Sequence, residues 1–596
     1  MRGAFSALTA VALSAPSLGA TVEIAGRPAT VTLTETGDFS FHLDNGSVAP
    51  QGTPQYDPTS NQYFDWLNRF DAQLSWGDWH AEARFDSALF LNVPTVTGNI
   101  PTPGQCIGTP FSGDCENLHL AGLLENRYVN NFIPEKLTVD YSSEHLVASL
   151  GDSYVSYGRG LVISLLKLDA LGVDNTLRGV NVTGRYGGLS ANVAAGLTNT
   201  VNTDPSTGEV VPDAMDRVVA ARLEYRVPRL FTVGIDGAGF FQNPGTAALS
   251  SYTPGDAHVK QIPLGFPALG SITSQCAGSP CYLLAPPSLT DTGNFSATLD
   301  LPHLGEVAKA YFELALQRQW VGQTPLNNSP TRGAAFYGSV ALLLGKATVS
   351  VEGRDYQNYF YPVTSSISSR MFPAFWQQSV YNAPPILEEQ FQEETATETI
   401  YGPRVRASYD LRDWVRPFAS AAFFRDETNQ YDIYDGSAGA EVFWQDRRSH
   451  AKVTVGLHDI VYNDLFSRPG SPYQQQWWGQ FDVVQVLNDV YSLQLEGLHR
   501  RYFFDTLTAY PWSWGYAYLS LRRHEWSATV GYEYTTQFPS VWEKDNPNAG
   551  FAWSPNDRYT FRLFAGGREA GLRCINGICL VFPGFRGVSA EVVARY

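Results

Sequence analysis

Arg586 to Tyr596 read RGVSAEVVARY. In an extended chain, successive side chains point to opposite faces. Val588, Ala590, Val592, Ala594 and Tyr596 therefore share one face. Ser589, Glu591 and Arg595 share the other, with Val593 the apolar exception. A strand with one apolar and one charged face lies between two different surroundings. Which face meets which is decided by how often the pattern recurs.

It recurs along the chain as a hairpin: a strand of about ten residues, a very short turn, a second strand and then a longer polar loop. The clearest case is Asn68 to Phe90. Phe70, Ala72, Leu74 and Trp76 oppose Arg69, Asp71, Gln73 and Ser75, and Gly77-Asp78 turn the chain. On the return arm Trp79, Ala81, Ala83, Phe85 and Leu89 oppose His80, Glu82, Arg84 and Asp86. The same opposition places Arg222 and Glu224, Glu352 and Arg354, Arg404 and Arg406, Lys452 and Arg562 across from runs of Val, Ala, Leu, Tyr and Phe. A face bearing both charge signs cannot form a dry core without a heavy desolvation cost, and a wet lumen removes that cost. Apolar side chains then meet lipid and charged ones meet water. One such strand is an ordinary half-exposed surface strand; a long series of hairpins of one kind is the pattern of a transmembrane barrel.

The fold class is accordingly all-β: a single large antiparallel transmembrane β-barrel with short periplasmic turns and long extracellular loops. Gly37 to Asn45 makes the first strand. Ten hairpins follow, with turns near 78, 143, 187, 228, 303, 345, 412, 447, 488 and 524. A short strand near 547–553 turns at Ser554-Pro555-Asn556-Asp557 into Arg558 to Gly566, and the last strand descends to Tyr596. Both termini of a bacterial barrel are periplasmic, so the count is even, at about 24 within a range of about 22–26. Trp76, Trp79, Trp414, Trp444 and Trp526 each lie beside a tight turn, where an interfacial aromatic girdle belongs. The long loops run roughly 46–67, 91–135, 200–216, 243–291, 361–400, 461–476 and 538–546. Residues 152–178 fit neither class: SYVSYGRGLVISLLKLDALGVDNTL is too apolar for a free outer loop. The segment is expected to fold into the lumen as a constriction or plug; the rival reading is two further strands. Its Gly158-Arg159-Gly160 is too weak a motif for a phosphate loop.

Bulk composition permits this reading. The chain has 596 residues, 17% of them charged and 13% aromatic, with 31 Tyr and 14 Trp. Its mean hydropathy of -0.18 does not exclude a barrel, which needs no continuous apolar run. A net charge of -17 and the lack of a basic tract argue against nucleic acid as a partner. Residues 1–20, MRGAFSALTAVALSAPSLGA, read as a secretory signal with Arg2 as n-region and Phe5 to Leu13 as a short apolar core. That leaves 21–596 as the barrel, exported to the bacterial outer membrane.

The six cysteines fall as three close pairs: Cys106 with Cys115, Cys276 with Cys281, and Cys574 with Cys579. In an exported chain such pairs read as local disulfides. In the last pair, Asn576-Gly577 is a favoured hairpin turn and sets Cys574 across from Cys579 at a Cα separation of about 4.5 Å, within disulfide range. Zinc is the rival reading, with a spacing wide of the usual ligand pattern. No metal, cofactor or catalytic residue is expected: there is no G-x-S-x-G elbow and no H-E-x-x-H, and the alternation of His80, Glu82 and Asp86 is that of a lumen wall.

A terminal strand closing on Tyr596 resembles the C-terminal insertion signal of bacterial outer-membrane β-barrels. The segments GDSYVSYGRGLVISL (151–165), TLRGV (176–180) and AGLRCINGICLVFPGFRGV (570–588) resemble passages from a family of large, uncharacterised outer-membrane barrels. The resemblance implies a barrel and an outer-membrane address, hence outer-membrane lipid, lipopolysaccharide and the barrel-assembly machinery as partners; it implies no substrate.

The leading functional expectation is a pore or transporter for small solutes, with Arg69, Asp71, Glu82, Arg84, Arg222, Glu224, Glu352, Arg354, Arg404, Arg406, Lys452 and Arg562 facing the lumen. The alternative is a scaffold barrel that holds a plug or partner protein. A barrel enzyme ranks third. A receptor with an N-terminal plug domain is disfavoured, since about 17 residues separate the signal from Gly37. A soluble sandwich or propeller fits the alternation but not the terminal strand, the girdle or the uneven turn lengths.

Overall fold

Alternation decides which face of each strand meets which surrounding, and short turns give consecutive strands each other as partners. The computed structural model describes residues 20–43, 63–93, 130–168, 173–198, 201–203, 210–212, 216–241, 290–305, 307–321, 331–359, 381–385, 387, 399–426, 431–462, 474–504, 511–536, 545–568, 571–575, 578–582 and 585–596. Twenty-four strands form a closed antiparallel barrel in which chain neighbours are spatial neighbours. The first wall strand, Arg27–His42, pairs on one edge with Tyr63–Trp76. On its other edge it pairs with the last, Phe585–Arg595, from Thr34 opposite Arg595 to His42 opposite Gly587. Closure gives every wall strand a partner on both edges, which is what lets strands cross lipid at all. Tyr596 is pinned at the seam: its N–H donates to Leu33 O at 2.7 Å, and Leu33 N–H donates to Tyr596 O at 3.0 Å.

Three boundaries differ from the sequence reading. The first strand begins at Arg27, not Gly37. Ahead of it Ala20–Ile24 forms a hairpin with Arg27–Val31, covering the edge of the long first strand that the last strand does not reach. The Thr30-Val31-Thr32-Leu33-Thr34-Glu35 run alternates as a strand does, but threonine is neither apolar nor charged and mutes the contrast. The strand expected at 547–553 runs Asp545–Asn556, and its turn is Asp557-Arg558. Thr290–Leu304 continues past residue 303, so that turn lies at 305–307. The remaining short turns fall where expected, at the rim that also holds Tyr596.

Of the three cysteine pairs, one is described. The hairpin Gly571–Ile575 with Ile578–Phe582 sets Cys574 opposite Cys579 in register. Cys106 and Cys115 lie outside the described residues, as do Cys276 and Cys281 and most of the signal segment.

The burial pattern is inverted relative to a water-soluble sheet. Leu150, Val455 and Val530 are 63%, 59% and 57% exposed, while Glu313, Asp236 and Arg354 on the opposite face are 0%, 1% and 2% exposed. Apolar groups so exposed in water would waste their burial energy; against lipid they cost nothing.

One connection leaves the wall and returns to it. Leu146–Ser153 pairs directly with Leu177–Tyr186, Leu150 facing Val180, so the residues between them are not part of the wall. Among the described residues they make two short pairings of their own, Val155–Ser156 with Ser164–Leu165 and Lys167–Leu168 with Val173–Asp174. Wall strands thus end at Ser153 and resume at Leu177, inside the expected limits of 152 and 178. Two buried apolar clusters lie where this insert, Tyr154 to Thr176, meets the charged face of the wall: in one, Val162, Ile163 and Leu165 pack with Ala194, Val218, Ala220, Phe240 and Tyr381, and the other holds Leu161.

Candidate functional site

Register fixes which side chains share the charged face. Arg69 lies across from Asp86, Asp71 from Arg84, and Glu82 from Gln73 and Thr138. Arg222 lies across from Asn192 and Asp236, and Glu224 from Ser190 and Gly234. Glu352 opposes Ser339 and Arg404, Arg354 opposes Tyr337 and Gly402, and Arg406 opposes Ser350 and Ser420. Lys452 opposes Glu441 and Asp482, and Arg562 opposes Ala552 and Glu591. All twelve candidates stand on the face that the insert contacts.

The insert is held at both ends and in the middle. At its neck, the Asp152 carboxylate accepts from Arg178 Nε at 3.1 Å and Nη2 at 3.0 Å, from Thr176 Oγ1 at 3.2 Å and from the Leu137 N–H at 2.8 Å. This one carboxylate ties the strand leaving the wall to the strand returning. Next to it, Asp174 accepts from Arg84 Nη1 at 2.7 Å, from Tyr154 Oη at 2.6 Å and from Lys136 Nζ. Burial alone would raise the Asp174 carboxyl, but Lys136 and Arg84 overcome it and hold the group down at about 2. Arg84 and Arg69 are in turn paired with Asp86, at 3.2 and 2.9 Å.

At the tip, Glu313 accepts from the Arg159 N–H at 2.8 Å and from Tyr311 Oη at 2.7 Å. The Gly158-Arg159-Gly160 run serves this turn. Gly158 and Gly160 have φ of 56° and 85°, the left-handed region that favours glycine. A Cβ on Gly158 would meet Glu313 Oε2 at 2.6 Å, and one on Gly160 would meet Ala383 O at 2.7 Å. The neighbouring carbonyls are also taken: Asn294 Nδ2 donates to Val162 O at 3.0 Å, and Tyr359 Oη to Leu161 O at 2.7 Å.

A second stretch, Tyr381 to Leu387, joins the insert. Ser164 N–H donates to Tyr381 O at 2.8 Å, Ala383 N–H to Gly160 O at 3.0 Å and Asn382 Nδ2 to Leu161 O at 3.1 Å. It is fixed to the wall by Arg404, which donates to Leu387 O at 2.5 Å and to Glu352 Oε2 at 2.5 Å through Nη2. Tyr356 Oη also donates to Pro385 O at 3.1 Å. Between these anchors Arg222 bridges Glu224 at 2.5 Å and Asp236 at 3.4 Å, with Tyr157 6.0 Å away under its guanidinium.

Arg354 stacks at 4.4 Å on Phe424, a member of the buried cluster that holds Leu161. Elsewhere Lys452 lies 4.0 Å from Glu441, and Arg562 pairs with Glu591. Buried pairs that the sequence reading passed over are His42–Asp65 at 2.6 Å and His458–Asp435 at 3.3 Å. Glu313 and Asp174 were missed as well. Glu313 alternates within AYFELALQRQ like any wall residue, and nothing local marks it as an acceptor for a distant loop. Among the described residues no three His, Cys, Asp or Glu side chains converge as a metal site. The five Trp stand at the short-turn rim. Trp79 and Trp414 are exposed; Trp76 Nε1 donates to Ile24 O at 3.2 Å and Trp444 Nε1 to Gln485 Oε1 at 2.8 Å; Trp526 meets Tyr491 edge-on at 6.2 Å.

No protein-family model and no curated protein matches the chain. Among solved structures it is similar to the siderophore receptor PirA from Pseudomonas aeruginosa, at 7% identity over 95% of this chain and 80% of that one, with a TM-score of 0.41. The P pilus usher PapC translocation pore is similar at 8% identity over 95% and 99%, TM-score 0.36. Pseudomonas aeruginosa OpdK, solved with vanillate, is similar at 11% identity over 82% and 98%, TM-score 0.34. Closure, an even strand number, a rim of short turns and an apolar exterior over a charged interior make this chain a bacterial outer-membrane β-barrel.

Proposed function

We propose that the protein is a pore for small solutes with a charged aqueous lumen, in which the insert and Tyr381 to Leu387 narrow the passage. The observation that supports this reading is the one-sided attachment of the insert. Its bonds described above run to the arc of wall from Trp79–Leu91 through Ile400–Tyr409. The buried apolar cluster that holds Leu161 and Leu387 reaches further, to Phe424, Ile433 and Ile460. The remaining arc, from Gln474–Val486 round to Tyr63–Trp76, turns Arg562, Glu591, Asp71 and Arg69 inward and lines the conduit. Solutes pass between insert and arc, selected by width and by the charges on both sides. Residues 1–20 direct export, Tyr596 serves insertion, and the Trp rim sits at the periplasmic membrane boundary. The twelve charged wall residues act mainly as paired stiffeners, with Arg562 on the conduit side contributing to ion preference. Single-channel recording in planar bilayers tests this: a steady conductance is expected. Silence that ends only when a co-purifying protein is stripped away refutes the open pore and supports the scaffold alternative.

A further inference from the structure

The strand Trp512–Arg523, WSWGYAYLSLRR, departs from the pattern of the wall. Its charged-face positions are Trp512, Trp514, Tyr516 and Tyr518 in succession, in register with Tyr502, Arg500, Leu498 and Glu496 on one side. On the other side Trp514, Tyr516 and Tyr518 meet Thr535, Glu533 and Gly531. Successive rungs are about 6.8 Å apart, so the ladder runs about 20 Å along the strand. Its rings are braced by one another and by the wall. Trp512 stacks on Tyr502 at 4.0 Å, Trp514 and Tyr516 are 6.0 Å apart, Tyr516 and Tyr518 5.2 Å, and the Arg500 guanidinium lies 5.0 Å from the Trp514 ring. Gly531 leaves the room that the Tyr518 ring occupies, and Gly456 does the same for Trp478, which packs behind the ladder with Leu498. The ladder rings themselves are only partly buried.

We propose that this ladder is a binding track for a neutral oligosaccharide; the proposal rests on the pore reading and names its solute class. A pyranose ring has a flat C–H face that stacks on an aromatic ring and an edge of hydroxyls that must be hydrogen-bonded. Both halves of that requirement are present. Around the rings stand Gln480, Asp482, Gln494, Glu496, Glu533 and Asn548, a set of amides and carboxylates that both donate and accept. Gln494 donates to Asp482 at 3.0 Å and to Glu496 at 3.3 Å, and Tyr518 Oη donates to Glu533, so the set is already ordered. Trp478 Nε1 and Gln476 Oε1, both buried, have no hydrogen-bond partner among the described residues. Charge chooses between flat ligands. Three carboxylates against Arg500 repel an aromatic acid and leave a neutral, hydroxyl-rich ligand favoured.

The test is current blockade of the reconstituted protein by maltohexaose and by cellohexaose, with sodium benzoate as the aromatic anion. One of the hexasaccharides is expected to interrupt the current reversibly. Trp514→Ala and Tyr516→Ala should each raise the half-blocking concentration about tenfold, the loss of one stacking contact. Trp477→Ala, on the lipid face, should not. A conducting channel that neither sugar blocks, a block that both ladder variants leave unchanged, or a block by benzoate alone overturns the proposal and leaves the pore standing. Absence of conductance overturns the pore reading instead. The ladder is then read by tryptophan fluorescence of detergent-solubilised protein titrated with the same sugars: a response lost in Trp514→Ala supports it, and no response refutes it.

Discussion

Removing the acceptor at the tip of the insert, Glu313→Ala, loosens the tip from the wall. Glu313 is fully buried and takes two donors, the Arg159 N–H at 2.8 Å and Tyr311 Oη at 2.7 Å. Alanine leaves both unsatisfied in place. Each stranded buried donor costs about 1–3 kcal/mol, so the attached state of the tip loses about 2–6 kcal/mol. The wall ladder of backbone hydrogen bonds is untouched, so the barrel keeps its closure. At about 1.4 kcal/mol per decade, the detached tip becomes more populated by between one and four powers of ten. Glu313→Gln keeps an oxygen for one donor and should fall between Ala and wild type. The assay is single-channel recording: the alanine variant should show larger mean current and more frequent steps, with the glutamine variant intermediate. Heat-modified gel mobility should be unchanged, showing that the barrel is intact. An intact Glu313→Ala barrel with wild-type current and noise would refute the idea that the insert sets the width of the passage.

The Asp174 anchor gives a pH dependence of known sign. Its carboxyl is depressed from the ordinary 3.8 to about 2, a contribution of about 2 kcal/mol that is complete above pH 3.8 and lost as pH falls through about 2. Channel noise from this anchor should therefore rise as pH falls below about 4, and Asp174→Asn should abolish that rise and be noisy at every pH. Gly160→Ala places a side chain at φ 85° against Ala383 O, and should weaken the insert by about 1–3 kcal/mol, read as raised conductance with unchanged barrel unfolding. Val455→Arg puts a cation on the lipid face near mid-strand. It should lower the unfolding free energy by about 2–4 kcal/mol in a reversible lipid refolding assay, against about 0–1 kcal/mol for Leu344→Arg at the rim.

The wall was legible because a barrel writes its solvent into every second residue. Asn68 to Phe90 alone shows both faces and the turn between them, and the repetition gave closure and strand number. Legibility failed where that contrast is weak or absent. The threonine-rich start of the first strand hid ten residues of wall. The insert was visible as an anomaly, since Leu161-Val162-Ile163 is too apolar for a free loop, but alternation carries no information about what a loop packs against. Its partners Glu313, Asn294 and Tyr359 are far away in sequence and look like ordinary wall or loop residues. Arg84 and Arg404 were picked as lumen charges. Their further task, holding Asp174 and Leu387 O, depends on segments whose position only the folded chain reveals.

Thr529 and Val530 are adjacent and stand on opposite faces, which makes them the sharpest probe of the inverted wall. A nitroxide amino acid incorporated genetically at each position, in protein reconstituted into bilayers, reports access to dissolved oxygen and to a water-soluble nickel complex. At Val530 the probe should see oxygen and be shielded from nickel; at Thr529 it should see nickel. Free access of nickel to both positions, or the reverse assignment, would contradict a barrel that shows its apolar face to lipid and its charges to water.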